Sequence, residues 1–428
     1  MKIGFCTLGC KVNQYETEAI KEKFSINGWE IKDFNEECDA YLINTCSVTS
    51  LSDRKSRQMI RRAHEKNKNA IIAVCGCYAQ VSPEEIEKIE GVNIVIGTTD
   101  KLKAYELINE AVNKNIVRPL TNKESYEDME ITLFDSKTRA IIKVQDGCNN
   151  FCSYCIIPYA RGRIRSRNPK KVYNECQKLS ENGFLEVVLS GIHVCSYGRD
   201  LENFTLCDLL YKIHSIDIKR IRLSSIEPNA FNDDFFNMLK ELNKICHHFH
   251  ISLQSGCDET LKRMNRKYNS SFYKGICNRL IEEFPDTAIT TDVIVGFPGE
   301  TEEEFNKTVE FIKSIPFYKI HTFKYSVREG TVAANMPDQI PPDVKEKRSK
   351  IIIDISNEKQ KEFERKYVGK TVEILVENKN KNGYYMGHTS NYIPVFVKSE
   401  NNICDTLIKV EIKEYKNNML IGKTAEDF

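Results

Sequence analysis

Cys148, Cys152 and Cys155 stand in the string D-G-C-N-N-F-C-S-Y-C-I-I-P, a C-x3-C-x2-C spacing within one short loop. Three thiolates are one fewer than the four that hold an ordinary electron-transfer iron–sulfur cluster. Soft sulfur ligands suit a 4Fe–4S cube, and three of them leave one iron without a protein ligand. Such an iron is a place for chemistry, because a molecule carrying an amine and a carboxylate can chelate it. A catalytic zinc also takes three protein ligands, so zinc is the competing reading. Three unrelated buried cysteines are the bland alternative, and the tight spacing weighs against it.

The elements that must position this loop follow from the patterning of residues 138 to 342. Six apolar runs begin at Ala140, Glu186, Arg220, His250, Thr290 and Lys319, each followed by a helical stretch. Repeated β-then-α units imply parallel strands, and six of them suggest an open, partial barrel. Catalytic groups in such barrels sit at the C-terminal ends of strands. The cysteine loop follows the first strand. Gly191, Ser224 with Glu227, Gln254 and Gly296 follow later ones. Each has an ordinary reading as a turn glycine, a capping residue or a solvated carboxylate. Together, at successive strand ends, they form a candidate site.

Residues 1 to 118 read as a smaller α/β domain with strands near Lys2, Ala40, Ala70 and Asn93, and helices between them. Cys10, Cys46 and Cys77 each follow a strand. Ligands in open α/β folds gather outside the carboxyl ends of strands, so these three can converge on one cluster. The alternative is plain core packing, since free cysteine is often buried. Cys75 competes with Cys77. Gly76 breaks the strand and turns Cys77 into the loop, which favours Cys77.

Residues 119 to 137 are polar and weakly patterned and read as a linker. A charged amphipathic helix over 343–367 leads to five short strands over 368–428, patterned as a small antiparallel barrel of OB type. Net charge is +1, from 62 Lys plus Arg against 61 Asp plus Glu, so any affinity for nucleic acid must come from local patches. Arg161, Arg163, Arg165 and Arg167 form one such patch, read as contacts to RNA phosphates. The helix carrying Arg54, Lys55, Arg57, Arg61 and Arg62 forms another. Sixteen cysteines with no export signal argue for reduced thiols and a cytoplasmic protein, and no apolar run approaches a membrane span.

The C-x3-C-x2-C motif, with Tyr154 before its last cysteine, resembles the radical S-adenosylmethionine signature. T-L-G-C-K-V-N-Q-Y-E-T-E, N-T-C-S-V-T and G-C-Y-A-Q resemble the N-terminal domain of the methylthiotransferases, and the last strands resemble a TRAM domain. The resemblance implies two 4Fe–4S clusters, one on Cys148, Cys152 and Cys155 and an auxiliary one on Cys10, Cys46 and Cys77. It also implies S-adenosylmethionine held near Tyr154, Gly191, Ser224, Glu227, Gln254 and Gly296, with the glycines allowing close approach.

The reaction implied is methylthiolation at C2 of adenosine in tRNA. A 5′-deoxyadenosyl radical abstracts the hydrogen, and sulfur is delivered from the auxiliary cluster. The K-V-N-Q-Y-E string resembles the branch acting on threonylcarbamoyladenosine, just 3′ of the anticodon. Partners implied are tRNA through its anticodon stem-loop, an electron donor and a sulfur donor. Alternatives are the branches acting on isopentenyladenosine or on a ribosomal protein. A non-catalytic iron–sulfur RNA-binding protein is an alternative of another class.

Overall fold

The computed structural model describes residues 1–121, 124–132 and 138–424. The N-terminal part is a parallel sheet, β1 (Lys2–Thr7), β2 (Glu30–Lys32), β3 (Ala40–Thr45), β4 (Ile71–Gly76), β5 (Val92–Ile96) and β6 (Lys114–Asn115), in the order β2-β1-β3-β4-β5-β6. Between the strands run α1 (Lys11–Ile26), α2 (Ser50–Lys66), α3 (Cys77–Val81), α4 (Pro83–Glu87) and α5 (Ala104–Asn109). The central strand β3 is buried at every residue, as a parallel strand covered on both faces must be. Thr49 caps α2 by accepting from the Ser52 amide, and Pro83 occupies the first turn of α4, where no amide donor is needed.

The central part opens with β7 (Arg139–Asp146), continued by α6 (Ile157–Arg161), β8 (Arg165–Ser166) and α7 (Pro169–Glu181). Five further strands follow: β9 (Glu186–Gly191), β10 (Arg220–Leu223), β11 (His248–His250), β12 (Ala288–Val295) and β13 (Lys319–Lys324). Their helices are α8 (Leu206–His214), α9 (Asp233–Glu241), α10 (Asp258–Arg263), α11 (Ser270–Glu283) and α12 (Glu302–Ser314). Strands β7, β9 and β10 pair in parallel, as do β11, β12 and β13. Isolated parallel bridges at Ile221–Ile245 and Ile226–Ile251 join the two groups, giving the partial six-stranded barrel. The fourth strand starts two residues before the expected His250. Beyond His250 it continues as isolated parallel bridges at Ile251 and at Gln254, which has φ +72°. The short β8 is antiparallel to β7 and was not anticipated.

Alternation along these strands sorts their two faces. Ala140, Ile142, Val144, Val187, Leu189, Ile221, Leu223, Phe249, Ile289, Val293 and Ile320 enter the core beneath the helices. Arg139, Lys143, Glu186, Arg222, His248, His250, Thr290, Asp292 and His321 occupy the intervening positions. A parallel strand packed on both faces reads as continuously apolar. The polar second face therefore lines the concave interior rather than a second helical layer.

Helix α13 (Pro342–Arg365) leads to a closed barrel of β14 (Thr371–Lys379), β15 (Tyr384–Thr389), β16 (Pro394–Lys398), β17 (Leu407–Lys416) and β18 (Met419–Thr424). Its order is β14-β15-β16-β18-β17, and β16 pairs with β18 in parallel. An odd number of strands cannot close with every pair antiparallel, so the antiparallel barrel expected from the sequence closes through this one parallel pair. The segment read as a linker is also packed where described. Met129 and Ile131 are buried, Tyr15 Oη donates to the Met129 carbonyl at 2.5 Å, and Tyr126 Oη donates to the Lys143 carbonyl at 2.6 Å. Residues 122–123 and 133–137 of it lie outside the described residues. No helix among the described residues is long and apolar enough to cross a membrane.

Candidate active site

The loop after β7 is shaped by backbone that only glycine tolerates. Gly147 has φ +72°, and a Cβ there would lie 1.9 Å from the Arg163 carbonyl oxygen. The Cys148 amide donates to the Gly162 carbonyl at 3.0 Å, and the Cys155 amide to the Cys152 carbonyl at 2.9 Å. Burial pushes the Cys148 thiol up to about 11 and the Cys155 thiol up to about 12, with Cys152 a contributing neighbour in both cases. A metal that takes these thiols as thiolates must displace their protons, so its binding is coupled to pH.

Arg266 binds this loop to the strand ends. Its guanidinium donates to Cys152 Sγ at 3.2 Å and to Tyr268 Oη at 2.9 Å, and lies 3.0 Å from Glu227 Oε1. Glu227 also accepts from Asn150 Nδ2 at 2.8 Å, and its Oε2 lies 3.2 Å from His193 Nε2. Desolvation pushes the Glu227 carboxyl up, but His193 and Arg266 prevail and bring it down to about 2. Sequence reasoning missed Arg266 because it follows α10 with no motif around it. The available signal was Glu227 itself, a half-buried carboxylate that needs a cation.

The strand-end residues fall into two groups. Ser224 Oγ is buried with no hydrogen-bond partner among the described residues, and Gln254 is buried in the left-handed region. Tyr154 packs edge-on against Phe297 with centroids 6.4 Å apart. The two glycines serve the protein itself. A Cβ on Gly191 would meet Gln145 Oε1 at 2.8 Å, and one on Gly296, at φ +69°, would meet Lys345 Cγ at 2.3 Å. On the side a Cβ would take, each glycine makes room for a protein side chain.

The second triad stands at the ends of three neighbouring strands, β1, β3 and β4. Cys10 caps α1, Cys46 follows β3, and Cys77 opens α3 rather than lying in a loop. Gly9 has φ +99°, and a Cβ there would lie 2.8 Å from Cys46 Sγ. Gly76 has φ +103°, and a Cβ there would lie 2.5 Å from the Thr45 carbonyl oxygen. These two glycines let the three strand-end loops touch. Burial raises the Cys10 and Cys46 thiols, Cys46 to about 11, and in both Cys77 is the next neighbour that raises them. Cys75 is fully buried in the core with Ile3, Ala73 and Ile94. Among the described residues no three Cys, His, Asp or Glu side chains close on a single ion-sized point. A cluster does not require that, because each thiolate takes a different iron.

Of the four arginines expected to hold RNA phosphates, three are buried. Arg161 donates to Cys77 Sγ at 3.3 Å, Glu16 Oε1 at 2.8 Å, Asn13 Oδ1 at 2.6 Å and Asp146 Oδ1 at 3.2 Å. Arg165 donates to the Arg161 carbonyl at 2.8 Å and lies 3.4 Å from Asp146 Oδ2, and Arg167 pairs with Glu175. Only Arg163 is exposed, its guanidinium 4.5 Å over the Phe151 ring. The phosphate patch is therefore corrected. These side chains hold the seam between the domains, and Arg161, on the helix after Cys155, links the first triad's segment to the second triad. The helix carrying Arg54, Lys55, Arg57, Arg61 and Arg62 keeps them exposed or half-buried. At the seam, Glu16 accepts from Lys101, Lys143 and Arg161. Desolvation pushes Glu16 up, yet Arg161, Lys101 and Lys143 together hold it well below the usual carboxylate range.

Comparison with known proteins agrees with this layout. Residues 142–312 match the Radical SAM superfamily, residues 2–97 match Uncharacterized protein family UPF0004, and residues 365–425 match the TRAM domain. The chain is 44% identical to threonylcarbamoyladenosine tRNA methylthiotransferase MtaB of Bacillus subtilis (strain 168), over 96% of this chain and 93% of that one. It belongs to the methylthiotransferase family. A tRNA-2-methylthio-N(6)-dimethylallyladenosine synthase of Clostridium tetani, a more distant relative, is 37% identical over 88% of this chain and 85% of its own. The radical S-adenosylmethionine methyltransferase TsrM of Kitasatospora setae shares the fold at 14% identity and TM-score 0.57, covering 78% of this chain and 74% of that one. Family membership brings S-adenosylmethionine and two 4Fe–4S clusters as cofactors, and the two triads supply the soft donor sets that fit them.

Proposed function

We propose that this protein is a tRNA methylthiotransferase that places a methylthio group at C2 of threonylcarbamoyladenosine. The observation that carries the reading is the pair of thiol triads joined at one seam through Arg161, in a chain 44% identical to MtaB. Cys148, Cys152 and Cys155 would hold the radical cluster, and Cys10, Cys46 and Cys77 the auxiliary one. When bound, the clusters and S-adenosylmethionine supply radical hydrogen abstraction and sulfur, which no side chain can provide at an aromatic C–H.

The chain's own residues position and shield. Tyr154, Ser224, Glu227 and Gln254 would line the place of S-adenosylmethionine, with the free Ser224 Oγ offered as donor or acceptor. Glu227 and Arg266 hold the cysteine loop, and the buried seam excludes water. The proposed domains are 1–118, the linking segment 119–137, the radical domain 138–342, the connecting helix 343–367 and the TRAM domain 368–428. Partners would be tRNA and S-adenosylmethionine, with an electron donor and a sulfur donor, in the cytoplasm.

Mass spectrometry of tRNA nucleosides from a strain lacking the protein tests this. The 2-methylthio derivative of threonylcarbamoyladenosine should vanish while its unmethylthiolated precursor accumulates. Loss of the isopentenyl derivative instead would overturn the substrate assignment.

A further inference from the structure

The concave face of the central strands carries charge that cluster binding does not use. Glu186 Oε1 accepts from Arg139 Nε at 2.6 Å and from Arg222 Nε at 2.7 Å, so two guanidiniums share one carboxylate. Arg139 has a second acid, Glu377 at 2.9 Å, which is also engaged by His388. Arg222 has no second acid. It is 2% exposed, and its Nη1 is buried with no hydrogen-bond partner among the described residues. His248 beside it uses Nε2 toward Thr290 Oγ1 at 3.2 Å, while its Nδ1 is buried and unpartnered among the described residues. Tyr392, from the C-terminal barrel, lies under both guanidiniums at 5.0 and 4.6 Å and stacks on His388 at 4.5 Å.

A third cation reaches the same place from the N-terminal domain. Lys11, the residue after Cys10, makes no hydrogen bond or ion pair among the described residues. It is open to solvent, and the charged groups that act on it are Arg222, Arg139 and Glu186. Arg139, Arg222 and Lys11 thus all act on Glu186, while Glu377 is taken up by Arg139 and His388. The nearby acid on this face, Asp292, is engaged by His250 at 3.1 Å. Glu186 alone answers Arg222 and leaves Nη1 of that buried guanidinium without an acceptor, which is costly. A bound monoanion removes that cost through charge-assisted hydrogen bonds.

We propose that Lys11, Arg222 and His248 form a carboxylate-binding subsite that receives the amino-acid end of the threonylcarbamoyl group. This rests on the substrate reading given above and explains how that substrate is told from its apolar counterpart. An isopentenyl tail would bury hydrocarbon against the guanidinium and leave Arg222 Nη1 unsatisfied. A carboxylate satisfies Nη1, the Lys11 ammonium and the Nδ1–H of neutral His248 at once. Lys11 adjoins a ligand of the auxiliary cluster, so the substrate's tail and the sulfur source would be registered by one turn of chain.

Two anticodon stem-loop RNAs test it, one with the threonylcarbamoyl carboxylate free and one with it as the methyl ester. Binding to the reconstituted holoenzyme is read by fluorescence anisotropy, with single-turnover methylthiolation as a second readout. The free acid should bind roughly 10- to 100-fold more tightly than the ester. Lys11→Gln should bring the acid's affinity toward the ester's and leave the ester unchanged, and Lys11→Arg should restore most of the preference. Arg222→Lys, chosen to keep a charge beside Glu186, should also narrow the ratio. Equal binding of acid and ester by the unaltered protein, or an unchanged ratio in Lys11→Gln, overturns the subsite while methylthiolation of the acid RNA leaves the substrate reading standing. Modification of an isopentenyl RNA and not of either threonylcarbamoyl RNA overturns both.

Discussion

Replacing Arg161 by Ala distinguishes a buried seam from an RNA-binding patch. The guanidinium is fully buried and donates to Cys77, Glu16, Asp146 and Asn13. Its removal leaves a void and deprives two buried carboxylates of a shared cation. Breaking a buried ion pair by deleting one partner costs about 3–5 kcal/mol. Lys101 and Lys143 still face Glu16, which places the expected loss near the lower end, about 3 kcal/mol. In a chain of this length that corresponds to a fall in Tm of roughly 3–6 °C. Arg163→Ala, at an exposed position, should change stability by about 0.5 kcal/mol or less. Thermal unfolding of the metal-free proteins, followed by circular dichroism, gives the comparison. RNA binding measured against salt gives the counter-test, because a lost phosphate contact lowers the salt slope by roughly one unit. If Arg161→Ala unfolds with the unaltered protein and flattens the salt dependence instead, the buried network is wrong.

Three further outcomes follow from the geometry. Anaerobically reconstituted protein should hold about eight irons and eight sulfides; Cys148→Ala with Cys152→Ala, or Cys10→Ala with Cys46→Ala, should each leave one cluster, and zinc in the metal analysis would refute the assignment. Cys77→Ala should lose the auxiliary cluster's iron while Cys75→Ala keeps it, as iron determination and electron paramagnetic resonance would show. Tyr392→Ala removes a ring held between two guanidiniums and His388, and should loosen the C-terminal barrel by about 2–4 kcal/mol, read as earlier proteolysis at that junction.

The sequence disclosed best what is local. The β-then-α repeats depend on near neighbours along the chain, and the structure forms them as the patterns imply; Cys10 and Cys46 lie at strand ends, while Cys77 opens a helix. Arg161, Arg165 and Arg167 were misjudged because their partners are remote. Glu16 lies 145 residues before Arg161, and nothing in R-G-R-I-R-S-R hints at it. Two weaker signals were present. Met129 and Ile131 stand in a segment otherwise polar, where apolar residues ask to be covered, and the five final strands could not close without one parallel pair. Arg266 carried no signal of its own, and only the fold brings it to Cys152.

Glu16 also bears on whether the chain can be taken apart. Its cations come from Lys101 in the N-terminal half and from Lys143 and Arg161 in the barrel. The match to the N-terminal family stops at residue 97, before even the first of them. A fragment cut there would carry a carboxylate shaped for three cations and possess none. A fragment beginning at the barrel would expose Lys143 and Arg161 with Asp146 alone between them. The three regions are separable as names along a line of text, but in charge the first two are a single unit. Domain shuffling across that border would have to carry both sides of the seam together.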